Sequence, residues 1–236
     1  MRFQNKTAVV TGAASGIGEA VVGLLREEGA SVIGFDKAFS MDVTVEEDWV
    51  RVLTGVNHLD VLVSSAGISQ SSPLIETSLE DWRSVMAVNV DGAFLALKHC
   101  LPLMTTGGSC VLVGSASGTK AAPGASAYSV SKAALKMLAR AAALEMKPRG
   151  IRVNSIAPAG VVTPLWTKMP FWKELVETHG GVDGAWKSLG GADPATVSIQ
   201  RMAFPEEIAR AILFLCCDDA AHISGTELAI DGGYTA

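Results

Sequence analysis

The chain has 236 residues, about half of them hydrophobic, with 24 glycines, 18% charged residues and a formal net charge of -5. That length and apolar content support a sizeable core, and low charge with much glycine excludes a disordered chain. Acids and bases are scattered with no basic block to gather phosphates, which argues against a nucleic-acid partner.

The first residues, Met1 to Lys6, run straight into Thr7-Ala8-Val9-Val10, without the apolar stretch of a secretory signal. Strands are expected at Thr7–Thr11, Ser31–Phe35, Asp60–Ser64, Ser109–Gly114, Ile151–Ile156 and Glu227–Ile230. Several are apolar on both faces, as parallel strands covered by helices must be. Helical patterns near 17–28, 44–54, 80–104, 127–147 and 206–217 alternate with them. Gly29 follows the first, Pro148 and Gly150 close the fourth, and Pro205 opens the last. This alternation predicts an α/β fold with a doubly wound parallel sheet, Rossmann-like, in one domain spanning residues 1–236. One connection is short. Five residues separate Asp36 from Asp42, too few for a crossover helix, so any third strand near Phe39–Met41 is expected to be rudimentary. Apolar runs reach about seven residues, well short of the ~20 that span a bilayer. Cys100, Cys110, Cys216 and Cys217 sit in apolar stretches and read as reduced core thiols, which suits a soluble cytoplasmic protein.

Thr11-Gly12-Ala13-Ala14-Ser15-Gly16-Ile17-Gly18 follows a strand and opens a helix. Glycines at that place permit a tight turn and close approach of the backbone to a pyrophosphate, which then meets free N–H groups at a helix N-terminus. An acid at Asp36, 18 residues past Gly18 at the end of the next strand, suits the hydroxyls of a ribose. The plainer readings are a glycine-rich turn and a capping aspartate.

Tyr128-Ser129-Val130-Ser131-Lys132 puts Tyr128 and Lys132 at i and i+4 on one helix face. A tyrosine that moves protons needs its pKa brought down from ~10. A lysine cation ~4 Å away is worth about 4 kcal/mol at an effective dielectric of ~20, so Lys132 is expected to lower the phenol by roughly three units. Alone, such a pair is more often a solvated face.

Taken together, these motifs resemble the short-chain dehydrogenase/reductase family, in its shorter single-domain branch, from about Lys6 to the C-terminus. The landmarks occur in family order: Thr11–Gly18, Asp36, Asp42-Val43, Asp60 to Gly67, Asn89, Ser115, Tyr128 with Lys132, Asn154 to Pro158 with Thr163, and Asp231-Gly232-Gly233. The resemblance implies that Tyr128 is the catalytic acid/base and that Lys132 activates it and holds a ribose. Ser115, 13 positions before the tyrosine, would hold the substrate oxygen, with Ser117 a competitor. Asn89 would support a proton-relay water. It also implies an NAD-type cofactor held by Gly12, Ser15, Gly16, Ile17, Gly18, Asp36, Asp42, Val43, Ser65, Ala66, Gly67, Tyr128, Lys132, Val161 and Thr163. Asp60 and Asp231-Gly232-Gly233 read as structural. Ser64-Ser65-Ala66-Gly67 stands where the family has Asn-Asn-Ala-Gly, and Pro158-Ala159-Gly160 displaces a glycine by one position.

The expected activity is interconversion of a secondary alcohol and a ketone with NAD(H). The alternatives are a 3-oxoacyl-thioester reductase of the same family and, in another class, a non-catalytic dinucleotide sensor. His58, His99, His179 and His222 lack metal-ligand spacing, and Ser115 lacks a nucleophile elbow, so neither a metal site nor a serine hydrolase is expected. Asp36 would face a 2′-phosphate, and each unit-charge pair at ~5 Å costs about 3 kcal/mol before screening, which favours NAD over NADP. Lys37 is the nearby cation that could offset it. Residues 164–204 carry Trp166, Trp172 and Trp186 with Gly180-Gly181 and Gly190-Gly191. They read as a lid over a largely apolar small-molecule substrate, the other reading being packing against the core or a neighbouring subunit. A homo-oligomer, a tetramer by family resemblance, would pack through the helices near 80–104 and 127–147.

Overall fold

Period-two alternation on each apolar run sends successive side chains to opposite faces, and both faces find cover. In the computed structural model, which describes residues 1–190, 199 and 201–236, six strands form one sheet. They are β1 (Thr7–Thr11), β2 (Ser31–Phe35), β3 (Leu59–Ser64), β4 (Met104–Val113), β5 (Arg152–Pro158) and β6 (Glu227–Ile230). Their order is β2-β1-β3-β4-β5-β6, with every neighbouring pair parallel. Five of the six lie within two residues of where the sequence places them, and β4 starts earlier. Between them run α1 (Gly16–Glu27), α2 (Glu46–Leu53), α3 (Leu79–Met86), α4 (Gly92–Cys100), α5 (Ser126–Met146), three short helices α6 (Pro164–Thr167), α7 (Trp172–Thr178) and α8 (Val182–Gly190), and α9 (Pro205–Cys216).

Two cores result. On one face Val21 and Leu25 of α1 and Ile208 and Ile212 of α9 pack with Ala8, Val10, Val61 and Val63. On the other, Trp49 of α2, Leu95 of α4 and Ala139 of α5 pack with Val9, Leu62, Cys110 and Leu112. Each fully buried aliphatic side chain contributes about 1.5–3 kcal/mol relative to exposure. Asp60 is structural, as expected: its carboxylate accepts from the Thr7 amide (2.9 Å), Lys6 Nζ and Thr105 Oγ1 (3.1 Å each).

Three expectations are corrected. No third strand forms at Phe39–Met41; Lys37–Phe39 is a 3-10 turn and β2 is the sheet edge. The short connection closes instead on Trp49, whose ring stacks on Phe35 at 4.1 Å and whose Nε1 donates to the Val43 carbonyl at 3.0 Å. The helix foreseen over 80–104 is two helices, α3 and α4, joined by a π turn at Ala87–Asp91 and ended at Cys100 ahead of Pro102. Finally, β4 begins at Met104 rather than Ser109, with an irregular register between Leu59 and Val61 opposite it.

The sheet reverses direction of winding at β1, which lies between β2 and β3. The crevice for a ligand therefore lies beyond the C-terminal ends of β1 and β3, beside Thr11 and Ser64. Among the described residues no helix is long and apolar enough to cross a membrane.

Candidate active site

The chain leaves β1 through the glycine turn and enters α1 at that crevice. Ser15 precedes the helix without capping it, so the amides of the first turn have no side-chain acceptor. Gly16 has φ +57, and a Cβ there would lie 3.1 Å from Thr163 Cγ2; the turn therefore faces Thr163 across a narrow gap. A Cβ on Gly18 would sit 2.1 Å from the Gly12 carbonyl oxygen, which makes this position glycine for packing reasons. Uncapped amides at a helix N-terminus, with backbone this close, fit a pyrophosphate.

Asp36 closes the next side. Its Oδ2 accepts from the Ala14 amide (3.1 Å) and its Oδ1 from the Ala38 amide (2.9 Å), which ties the glycine turn to the turn after β2. Lys37 points elsewhere: its Nζ pairs with Asp42 Oδ2 at 2.8 Å. The other Asp42 oxygen takes the amide and hydroxyl of Thr44 at 3.0 and 2.8 Å, and these partners hold its carboxyl below the usual range despite partial burial. The Val43 side chain is buried in the second core against Gly92. Asp42 is thus committed and Val43 can offer an adenine only its backbone. Val161 is buried where it bridges to Ala203, and Thr163 precedes α6 without capping it, which leaves its hydroxyl free of that duty.

The turn after β3 lacks the family's two amides and is held another way. Thr11 Oγ1 accepts the N–H groups of both Ser65 and Ala66, each at 3.0 Å. The Asn89 amide lies in the widened π turn between α3 and α4, a feature common at functional sites. Its Oδ1 accepts from the Ile68 amide at 2.8 Å, and its Nδ2 donates to the Ile68 carbonyl at 3.0 Å and to Ser131 Oγ at 2.9 Å. Asn89 therefore braces the loop after Gly67 against α5. A Cβ on Gly67 would lie 3.3 Å from both Asn89 Oδ1 and Lys132 Nζ, so these two groups meet at one point.

Ser115 follows β4, buried, and its Oγ accepts from the Ser117 amide at 3.1 Å and donates to the Pro158 carbonyl at 3.4 Å. That contact makes Ser117 a backbone support for Ser115. Across from it, α5 presents Tyr128 and Lys132, with Lys132 Nζ 5.5 Å from the centre of the Tyr128 ring. Lys132 is 4% exposed and donates to the Val113 carbonyl at 2.8 Å. Burial lowers its pKa from 10.5 to about 8. Burial also raises the Tyr128 phenol above its ordinary value, while the neighbouring Ser115 hydroxyl pulls it the other way. The expected lowering of Tyr128 by Lys132 is therefore corrected. The ammonium is engaged with a backbone carbonyl over the ring face, and desolvation outweighs the attraction.

Asn89, Ser115, Tyr128 and Lys132 thus converge at the C-terminal end of β4, beside the glycine turn. Sequence reasoning gave no role to Thr11, Ser131 or Val113, which hold the site's parts in place. Thr11 and Ser131 stand inside the quoted motifs but carry no signal of their own, and a backbone carbonyl such as that of Val113 carries none.

A family model described as enoyl-(acyl carrier protein) reductase matches residues 34–235. The chain is 36% identical to cis-4-hydroxycyclohexanecarboxylate dehydrogenase of Sinomonas cyclohexanicum over 260 residues, which cover 99% of this chain and 98% of that one. The chain belongs to the short-chain dehydrogenase/reductase family. Among solved structures of this fold, the ligand-free aldohexose dehydrogenase of Thermoplasma acidophilum matches with a TM-score of 0.86 at 28% identity, covering 99% of this chain and 95% of that one. A blue fluorescent protein from a metagenomic library, solved with NADPH, matches with a TM-score of 0.83 at 26% identity, each chain covered completely. Membership makes this short-chain dehydrogenase/reductase an oxidoreductase of CH–OH groups that works with a nicotinamide dinucleotide.

Proposed function

We propose that the chain interconverts a secondary alcohol and a ketone with NAD(H) as the preferred cofactor. The observation that carries the reading is the convergence of Ser115, Tyr128, Lys132 and Asn89 beside the uncapped start of α1. A sensor that only bound a dinucleotide would not need that quartet. When bound, the nicotinamide ring supplies or accepts the hydride. Gly12, Ser15, Gly16, Ile17 and Gly18 would cradle its pyrophosphate, Asp36 and Lys132 its riboses, and Ser65, Ala66, Gly67, Val161 and Thr163 the nicotinamide half.

Ser115 Oγ and the Tyr128 hydroxyl hold the substrate oxygen, and Tyr128 moves the proton at that oxygen. A phenol kept neutral by burial is a ready proton donor to a ketone. In the oxidising direction it must first lose its proton, against the burial that raises its pKa and with the help of the Ser115 hydroxyl, which lowers it. Asn89 acts by position, fixing the loop after Gly67 against α5.

Cofactor choice rests on Asp36, together with the pairing of Lys37 to Asp42. The cation that would answer a 2′-phosphate is already matched. Steady-state kinetics with both cofactors over a panel of secondary alcohols test this. A kcat/KM for NADP⁺ equal to or above that for NAD⁺ would overturn the choice.

Residues 164–204 serve as the lid over the substrate. Trp172 lies 4.5 Å from Trp186 and Trp166 lies 6.3 Å from Phe171, so these aromatics pair within the insertion. Residues 191–198 and 200 of the segment lie outside the described residues. An apolar, water-excluding cover suits a substrate built mainly of carbon. Self-association uses Val130, Met137 and Leu144, which recur every seven residues on α5 at 46%, 61% and 75% exposure; Phe94 of α4 is half exposed as well. Four buried, unpaired thiols support a reducing compartment, the cytoplasm.

A further inference from the structure

The turn that follows β4 makes a contact with α5 that the mechanism above does not use. Ser115 opens this turn, Ala116–Gly118 form it, and the Gly118 amide closes it by donating to the Ser115 carbonyl at 2.9 Å. The Thr119 and Lys120 amides both donate to the Ala116 carbonyl, at 3.0 and 2.9 Å, and the Ser117 amide donates to Ser115 Oγ at 3.1 Å. With the amides of residues 117–120 all bonded inside it, the turn moves as one piece.

Gly118 lies directly on the backbone of α5. A Cβ there would sit 2.8 Å from the Ala133 nitrogen, and 2.9 and 3.1 Å from the Lys132 carbonyl carbon and oxygen. All three atoms belong to the helix backbone, so no side chain can turn aside to make room. Ordinary contact begins near 3.4 Å, so an added methyl would hold the turn off α5 by about 0.6 Å. Gly118 is not in the left-handed region, so space alone demands glycine here.

This contact joins the two halves of the site. Ser115 rides on the turn, whereas Tyr128 stands on α5, just over one helical turn before the peptide that Gly118 meets. The spacing between their hydroxyls therefore depends on how closely the turn sits on the helix. From outside, the C-terminal strand and tail clip the same turn in place. Thr119 Oγ1 donates to Glu227 Oε1 at 3.4 Å, and Lys120 Nζ donates to the Tyr234 carbonyl at 3.1 Å while lying 4.4 Å from the centre of that ring.

We propose that Gly118 is a positioning residue for the reaction: its bare Cα lets the turn seat on the Lys132–Ala133 peptide, and that seat sets the distance at which the Ser115 and Tyr128 hydroxyls hold the substrate oxygen. The proposal rests on the oxidoreductase reading and adds to it a residue that touches neither substrate nor cofactor. A misplacement of ~1 Å in such a pair costs about a hundredfold in rate. The glycine turn before α1 is on other elements, so the loss falls on kcat and spares dinucleotide affinity.

The test compares wild type, Gly118→Ala, Ser115→Ala and the double variant. Each oxidises, with NAD⁺ across a range of pH, the secondary alcohol of the panel that wild type turns over fastest. In Gly118→Ala, kcat should fall by about tenfold to a hundredfold while NADH affinity by fluorescence titration stays within about twofold. The rising limb of its pH profile should move to higher pH, because the Ser115 hydroxyl that lowers the phenol is drawn away. Around the phenol stand Lys132 on its own helix, Ser115 after β4 and the neutral Asn89 amide held on Ser131, while Glu227 of β6 is matched by Lys136 at 2.7 Å. Of these, Ser115 is the one the turn carries. In the Ser115→Ala background the added methyl should change kcat by less than about twofold, since the two substitutions act through one hydroxyl. A crystal structure of Gly118→Ala should show the two hydroxyls farther apart by about 0.5 Å or more. An unchanged spacing, an unmoved pH profile or full additivity with Ser115→Ala overturns the proposal. Should Gly118→Ala not fold, Thr119→Val with Lys120→Met, both on exposed residues, decides it. A kcat lower by about threefold with the same pH shift then supports the proposal, and wild-type behaviour overturns it. If the variant's crystal structure shows the wider spacing but wild type oxidises no secondary alcohol with NAD⁺ or NADP⁺, the seat of the turn stands and the oxidoreductase reading falls.

Discussion

Replacing Lys132 by methionine should remove a pH-dependent cost that the buried ammonium places on the folded chain. The lysine is 4% exposed and its pKa falls from 10.5 to about 8 because burial penalises the ammonium. With the folded value depressed, the unfolded chain holds the extra proton between those limits. The cost of the buried charge is therefore complete below pH 8, shrinks as pH rises, and is gone above 10.5. At pH 7 it amounts to about 3 kcal/mol, the free energy that separates a pKa of 10.5 from one of about 8. At pH 9.5 about 1.5 kcal/mol remains. The introduced thioether side chain fills the same space without a charge but leaves the Val113 carbonyl without its 2.8 Å donor, an offset of about 1–3 kcal/mol that does not change with pH. The difference in unfolding free energy between variant and wild type should therefore move by ~2 kcal/mol, in favour of wild type, from pH 7 to pH 9.5. Urea unfolding of the dinucleotide-free protein at four or five pH values reads this directly. A difference that stays flat across the range would refute the depressed lysine and with it the account of how burial tunes the Tyr128 pair.

Four further outcomes are expected. Tyr128→Phe should lower kcat/KM by about a hundredfold to ten-thousandfold while leaving NADH affinity within a few fold, measured by kinetics and fluorescence titration. Gly18→Ala places a Cβ 2.1 Å from the Gly12 carbonyl, so it should abolish dinucleotide binding by calorimetry and cost about 1–3 kcal/mol of stability. Asp36→Ser should shift the NADP⁺ to NAD⁺ ratio of kcat/KM upward by about tenfold or more, and lower the urea midpoint because the Ala14 and Ala38 amides lose their acceptor. Met137→Glu with Leu144→Glu should reduce the mass seen by light scattering to that of the single chain; an unchanged mass would remove α5 from the interface.

The sheet was legible because parallel strands buried on both faces, such as Leu59–Ser64, must be written as continuous apolar runs. The glycine turn was legible because no other residue type fits beside the Gly12 carbonyl. What the sequence hid is of two kinds. A π turn at Ala87–Asp91 uses ordinary helical residues, so one added residue per turn leaves no mark on composition, yet it is what turns Asn89 toward Ile68 and Ser131. Solvation is hidden too. The i, i+4 spacing of Tyr128 and Lys132 states which face they share but not how deeply that face is buried, and burial reversed the expected direction of the phenol. The missing crossover helix could be counted from Asp36 to Asp42, whereas the stacking of Trp49 on Phe35 that makes so short a path workable could not.

That short path also explains why one carboxylate can carry both structure and cofactor choice. An ionised aspartate offers about four lone-pair sites. At Asp36 two are used, by the Ala14 amide on one oxygen and the Ala38 amide on the other. Two remain, the number needed by the paired hydroxyls of an adenosine ribose. A 2′-phosphate would present acceptors where these lone pairs point and would require a cation to answer it. The five-residue connection folds Lys37 back onto Asp42 at 2.8 Å, so the nearest cation is spent inside the turn. Lys37 and Asp42 are 70% and 27% exposed, so the pair is worth less than about 1 kcal/mol and adds only modestly to the choice that Asp36 makes. The proposed preference for NAD(H) would therefore come from two features together: an acid whose remaining acceptors match a diol, and a loop too short to bring a free cation beside it.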